Sequence, residues 1–188
     1  MKNQIAIGIS LALLVAGPLA TPYQPAVHAE SGVQPLATAS SDRNADLVIG
    51  VPYEAIGGDA AAGAAHVLYG TSATGLTAGG SQLWYQGNSG LQGAAEANDE
   101  FGFALAAGDF NGDAYPDLAI GVHGEDIGNP VIADAGVVQV LYGTASGLGA
   151  TNNQLWHQDV AGVQDAAEVD DRFGYKLAAG DFDGDGFA

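Results

Sequence analysis

Beyond residue 29, apolar positions come in short runs rather than in stripes: Leu47-Val48-Ile49, Ala64 to Tyr69, Leu105-Ala106-Ala107, Leu118 to Val122 and Val137 to Tyr142. Gly, Asn and Asp separate them, which is the punctuation of strands and turns. No segment there sustains an apolar face at helical period, so helices should be scarce. In the most regular stretch the pattern predicts strands near 101–108, 117–122, 136–142 and 154–158. Their small side chains suit sheets that are packed on both faces.

The runs repeat. Gln82-Leu83-Trp84 returns as Gln154-Leu155-Trp156, Ala94-Ala95-Glu96 as Ala166-Ala167-Glu168 and Gly108-Asp109-Phe110 as Gly180-Asp181-Phe182, each 72 residues later. Asp46 to Gly50 likewise returns as Asp117 to Gly121 after 71 residues. One spacing held across unrelated words marks a repeat architecture. Four short strands per unit predict an all-β fold of antiparallel β-propeller blades. The first blade spans about 36–86, the second about 101–158, and a third starts at Phe173. A closed ring needs at least four blades, so the expectation is a partial propeller that continues in further C-terminal blades or self-associates.

Residues 1–29 read differently. Met1-Lys2 and an apolar run through Gly17 form a secretory leader, with cleavage expected after Val27-His28-Ala29 and a linker over 30–37. The run is short and interrupted by Pro18, which argues against an uncleaved anchor, and no membrane span is expected after cleavage. Formal net charge is −18, and loss of Lys2 leaves Arg43, Arg172 and Lys176 against 22 acids. Such a surface repels nucleic acid and anionic lipid. Cysteine is absent, which in an exported protein excludes a disulfide scaffold and leaves packing or a metal to supply stability.

The acids are patterned. Asp109-Phe110-Asn111-Gly112-Asp113-Ala114-Tyr115-Pro116-Asp117 puts oxygen side chains at positions 1, 3, 5 and 9, with the Tyr115 carbonyl at position 7. Calcium takes six to eight hard oxygen ligands, and this alternation in a tight loop can turn them toward one point. Left without a cation, neighbouring carboxylates repel by about 1 kcal/mol per close pair even in bulk water. The frame recurs at Asp181, Asp183, Asp185 and the Phe187 carbonyl. In the first unit only Asp42, Asn44 and Asp46 remain, with Thr38 and Ser40 where carboxylates would stand. An EF-hand is excluded, because position 12 is Ile120 inside a strand-like run rather than Glu.

With Phe101-Gly102 and Phe173-Gly174 for one half of the motif, and Gly50-Val51-Pro52 and Gly121-Val122-His123 for the other, the chain resembles the FG-GAP repeat family over residues 38–188. That family includes the propeller of integrin α-subunits and bacterial secreted proteins. The resemblance implies calcium (Ca2+) loops on one propeller face and a ligand surface on the opposite one, here the connections at about 52–63, 86–100, 123–135 and 158–172. Departures are His123 in place of Pro and Ala114 in place of Gly. Solvated loops are the plainer reading of those acidic connections, Asp99-Glu100 and Asp170-Asp171 included.

No catalytic residues are assigned: GxSxG, HExxH and the phosphate-cradling GxxxxGK[ST] are all missing. His66 and His157 read as packed or surface residues, and His123 beside Glu125 and Asp126 is the one cluster worth inspection. Trp84 and Trp156, equivalent by repeat, read as blade packing. The expected function is therefore a secreted or cell-surface module for adhesion or for binding a protein or glycan, with structural calcium and no enzymatic activity. The alternatives are the accessory propeller of an extracellular hydrolase, phospholipase-D-like or glycan-degrading, and a truncated remnant without function.

Overall fold

The structure, a computed structural model, describes residues 10–14, 33–36 and 44–188. The expected cleavage point at Ala29 and the first-unit residues Thr38, Ser40 and Asp42 lie outside them. All described regular structure is β. Nine strands run β1 Ser10–Leu14, β2 Val33–Leu36, β3 Leu47–Val51, β4 Ala64–Thr71, β5 Gly75–Trp84, β6 Ala104–Gly108, β7 Asp117–Val122, β8 Val137–Thr144 and β9 Gly147–Trp156.

The second unit forms one complete blade, an antiparallel sheet in the order β6-β7-β8-β9. In the first unit β3, β4 and β5 pair in the same antiparallel order, β1 lies antiparallel on the open edge of β3, and β2 runs parallel beside β1. Ser10–Leu14, in the stretch expected to be a leader, thus occupies the first-strand position of blade 1, with Leu11 opposite Ile49 and Leu13 opposite Leu47. The expected strands 117–122 and 136–142 match β7 and β8, whereas β9 begins at Gly147, well before the expected 154. The turn is confined to Ala145-Ser146, and the pairing of β8 with β9 shifts register between Val140 and Tyr142.

β7 is buried at all six positions, as a strand packed on both faces must be. Leu118, Ile120, Val122, Val137 and Leu141 of the second blade share one core with Val48, Ala65, Val67 and Trp84 of the first. Polar contacts tie the same seam. Tyr69 Oη accepts from the Leu148 amide at 3.0 Å, and Gln82 Nε2 donates to the Leu148 carbonyl at 2.9 Å.

The closest approach is made by backbone. A Cβ on Gly50 would stand 2.0 Å from the Gly102 carbonyl oxygen, and one on Gly121 would stand 2.1 Å from that of Gly174. Gly102 and Gly174 share φ +87°, where glycine alone carries no Cβ penalty. The preceding phenylalanines are held alike: the Phe101 amide donates to the Ala62 carbonyl at 3.0 Å, and the Phe173 amide to the Ala135 carbonyl at 2.8 Å. Each Phe-Gly therefore seats against the glycine of the preceding unit. Gly50→Ala is expected to lower the melting temperature, since overpacking a tight contact costs about 1–3 kcal/mol. Gly79→Ala, whose added Cβ would meet only the Thr77 hydroxyl at 3.4 Å, is the matched control in thermal unfolding.

At the opposite end from the β6–β7 turn, the connections of the two units lock together through acids. Gln86 Nε2 donates to Glu125 Oε2 at 2.5 Å, the Gly124 amide donates to the Asp99 carbonyl at 3.1 Å, and the Glu96 amide donates to Asp99 Oδ2 at 2.6 Å. Asp99 is 2% exposed, a correction to its reading as part of a solvated loop. Burial first, and then the neighbouring acids Glu125, Glu96 and Asp126, push Asp99 up to about 7; burial first, and then Glu96 and Asp126, push Glu125 up to about 7 as well. Both groups hold protons in the folded state that the unfolded chain releases near pH 4, so stability should fall as pH rises from about 4 to about 7. Asp99→Asn and Glu125→Gln keep the acceptor oxygen and remove the titration. Each is expected to raise the melting temperature at about pH 8 and to leave it unchanged at about pH 4, the reverse of a simple lost contact.

Candidate metal centre

The loop between β6 and β7 is built by its own side chains. Asp109 Oδ1 accepts from the amides of Gly112 at 2.8 Å and Asp113 at 3.1 Å, and its Oδ2 accepts from Ala114 at 2.9 Å. Asn111 Oδ1 accepts from the Asp113 amide at 2.9 Å and Asp113 Oδ1 from the Tyr115 amide at 2.8 Å. Side chains at positions 1, 3 and 5 thus fold inward over a backbone that turns sharply at Gly112 and Ala114, both at positive φ. Ala114 at +67° sits where glycine would be unstrained.

The second copy has the same frame. Asp181 Oδ1 accepts from Gly184 at 2.6 Å and Asp185 at 3.1 Å, its Oδ2 from Gly186 at 2.9 Å, and Asp185 Oδ1 from the Phe187 amide at 2.9 Å. Oxygens of Asp181, Asp183 and Asp185 lie within 4.8 Å of one another and are exposed. Backbone amides, that of Gly186 foremost, hold the Asp181 carboxyl below its ordinary range. An all-oxygen donor set of this spacing, open to solvent, fits a hard cation such as calcium.

Asp117 stands apart from the other predicted residues. It is buried at the start of β7, where Oδ2 accepts from the Phe110 amide and Oδ1 from the Gly143 amide, both at 2.8 Å. Burial raises its pKa, the two amides oppose that rise, and Asp113 and Asp109 add to it. It pins the loop to β8 as well as standing at the ninth position. Asp46 repeats the arrangement: buried at the entry to β3, it accepts from the Gly70 amide through Oδ1 at 2.8 Å.

The suggested cluster of His123 with Glu125 and Asp126 does not form. His123 Nε2 lies 3.1 Å from Glu100 Oε2, and its ring packs against both Phe103 and Tyr175, at centroid distances of 4.2 and 5.0 Å. Glu125 turns instead to Gln86. Of the tryptophans, Trp84 is buried in the seam between blades, as equivalence across repeats implies, whereas Trp156 is 37% exposed. The sequence reading took Asp99 for a solvated connection and passed over Gln86; the one available signal was the return of Glu96 and Asp99 as Glu168 and Asp171, with the Glu168 amide again donating to Asp171 Oδ2 at 2.7 Å.

The chain is 30% identical over 150 residues to phosphatidylinositol-glycan-specific phospholipase D of Rattus norvegicus, a match covering 80% of this chain and 16% of that protein. With the Homo sapiens enzyme of the same name identity is 31% over 134 residues, covering 71% of this chain and again 16% of the relative. The chain thus spans about a sixth of the length of these relatives. The FG-GAP repeat model matches residues 101–141, which take in the Phe-Gly seat, the Asp109 loop, β7 and most of β8. Residues 101–141 are an FG-GAP repeat, and the two antiparallel sheets are consistent with partial propeller blades.

Proposed function

We propose that this chain is a calcium-stabilised binding module of an exported protein, without catalytic chemistry of its own. The observation that carries the reading is the pair of loops with matching hydrogen-bond frames, one of which gathers three carboxylates within 4.8 Å. Asp109, Asn111, Asp113, the Tyr115 carbonyl and Asp117 would hold one ion; Asp181, Asp183, Asp185 and the Phe187 carbonyl would contribute to a second. Bound calcium supplies the counter-charge that a chain of formal charge −18 otherwise lacks. The antiparallel strand order puts the connections at 52–63, 86–100, 123–135 and 158–172 at the other end of the blades, where they would meet an extracellular protein or glycan.

A second reading is favoured by the relatives: the module would accompany a hydrolase acting on a glycan-bearing lipid, with the chemistry elsewhere in the protein. The two readings share the calcium and differ in the ligand. Binding of the secreted protein to a glycosylphosphatidylinositol headgroup, against protein and simple glycan controls, separates them.

Calcium that binds only the folded state stabilises it by about 1.4 kcal/mol at ten times its Kd, worth about 3–6 °C for a chain of this size. Asp113→Ala is expected to remove that gain in millimolar calcium and to change little in chelator. Equal losses in both conditions, measured by scanning calorimetry, would overturn the calcium reading.

A further inference from the structure

Position 3 of the loop frame differs between the two copies. It is Asn111 in the first and Asp183 in the second, and each precedes a glycine in the left-handed region, Gly112 at φ +76° and Gly184 at +81°. The turn favours glycine there, so asparagine at position 3 brings an Asn-Gly pair with it. Residues 111 and 112 form the one such pair in the sequence. Asparagine is thermolabile because its side-chain carbon can be attacked by the next main-chain nitrogen, and glycine, with no Cβ, obstructs that attack least. The other asparagines of 44–188 precede Ala45, Ser89, Asp99, Pro130, Asn153 or Gln154.

The loop also arranges the reacting groups. Asn111 Oδ1 accepts from the Asp113 amide at 2.9 Å, so the side chain folds forward over the 111–112 peptide as in an Asx turn. The Gly112 amide donates to Asp109 Oδ1 at 2.8 Å, and a carboxylate acceptor leaves that nitrogen electron-rich. Asn111 Nδ2 donates to Asp113 Oδ2 at 3.1 Å. Asn111 and Gly112 are both exposed, and a Cβ on Gly112 would meet nothing nearer than the Phe187 ring at 3.4 Å. Water therefore reaches the place where the bond would form.

We propose that Asn111 is a site of spontaneous deamidation, governed by the cation that the loop holds. The Gly112 nitrogen attacks Asn111 Cγ. A bond forms between them, the Cγ–Nδ2 bond breaks, and the Gly112 amide proton passes through water to the departing nitrogen, which leaves as ammonia. A second water then opens the five-membered imide. Opening at Cγ restores the main chain with an aspartate at position 111; opening at the main-chain carbonyl leaves an isoaspartate, whose main chain is one carbon longer. The sum is amide plus water to acid plus ammonia.

Control by the cation rests on the calcium reading above. A bound ion would engage Asn111 Oδ1 and Asp109, fixing Cγ and drawing electron density from the carboxylate that faces the Gly112 amide. The two products differ in consequence. The frame takes aspartate at position 3, since Asp183 Oδ1 accepts from the Asp185 amide at 3.3 Å as Asn111 Oδ1 does from Asp113. The aspartate product gives the first loop the acids of the second at positions 1, 3 and 5, and added ligand charge tightens calcium. In the isoaspartate product the extra carbon lies between positions 3 and 5 and breaks the alternation that turns the oxygens to one point. Time spent without calcium is thus recorded in the loop as two populations, one of tighter sites and one of broken sites.

The secreted chain is incubated in chelator and in millimolar calcium, with bound calcium measured on the same samples. Peptide mass spectrometry in water enriched in heavy oxygen follows the exchange of amide for acid and the label that hydrolysis inserts. In chelator, conversion is expected to be faster at Asn111 than at any other asparagine and to give both products, told apart by fragmentation. With about nine-tenths of the loops occupied, the rate at Asn111 is expected to fall about tenfold. Asn111→Asp is expected to bind calcium roughly tenfold more tightly than wild type. The aspartate form separated from aged wild type by ion exchange gives the same measure should the variant fail to fold. Conversion at Asn111 no faster than at Asn88 or Asn98 in chelator overturns the proposal. Equal rates in the two buffers while calcium is bound overturn control by the cation; equal rates with no calcium bound overturn the calcium reading and that control together, and uphold Asn111 as the deamidation site. An aspartate form with no gain in affinity overturns the consequence drawn for that product.

Discussion

The fold depends on one close approach. Where a Phe-Gly meets the glycine of the preceding unit, main chain lies nearly against main chain, and a single added carbon would overlap a carbonyl oxygen. This spacing lets a buried phenylalanine, Phe101, close the seam while its amide and those of Glu100 and Asn98 donate to carbonyls of Ala60, Ala61 and Ala62. The second unit repeats the set with Asp170, Arg172 and Phe173 donating to Ala133, Asp134 and Ala135. The motif is thus a device for docking one sheet on the next, and the repeat period is the distance along the chain between successive dockings.

Charge is the second constraint, and it acts oppositely at the two ends of the blades. At the loop end, the carboxylates of Asp181, Asp183 and Asp185 are exposed and backbone amides hold Asp181 in its ionised form. At the other end Asp99 and Glu125 are withdrawn from water beside further acids, and both are displaced toward protonation. The same residue types therefore play two roles, set by solvent access and by the number of amides aimed at them. An acidic composition alone distinguishes neither.

Much of this was legible in the sequence because it is periodic. The strands β7 and β8, the loop frame and the equivalence of the tryptophans follow from offsets of 71 and 72 residues and from alternation over a few positions. The start of β9 was not, since Gly147, Gly149 and Asn152 signal a turn locally, and only pairing with Tyr142 to Thr144 and contact of Leu148 with the first blade make the stretch a strand. The partner of His123 was hidden for a related reason. Glu100 lies 23 residues upstream, on the connection that carries the Phe-Gly seat, and proximity in sequence pointed to Glu125 instead. What local pattern cannot supply is which connection crosses which seam.

A repeat in which each unit docks on the next has a property that a closed single domain lacks: its two end faces are complementary to each other. Burial at the internal seam is then a measure of what each outward face requires, position by position. In blade 1 the outward face presents Leu76 and half-buried Leu47, Ile49 and Leu68; in blade 2 it presents Trp156, with Phe173 and Leu177 already packed on Ala119, Val138 and Val140. Large exposed aromatics at such places are open contacts rather than scattered surface residues. The two sides of the seam are unlike, Tyr69 and Gln82 facing Leu148, so the surface that matches either face is that of another blade of this kind.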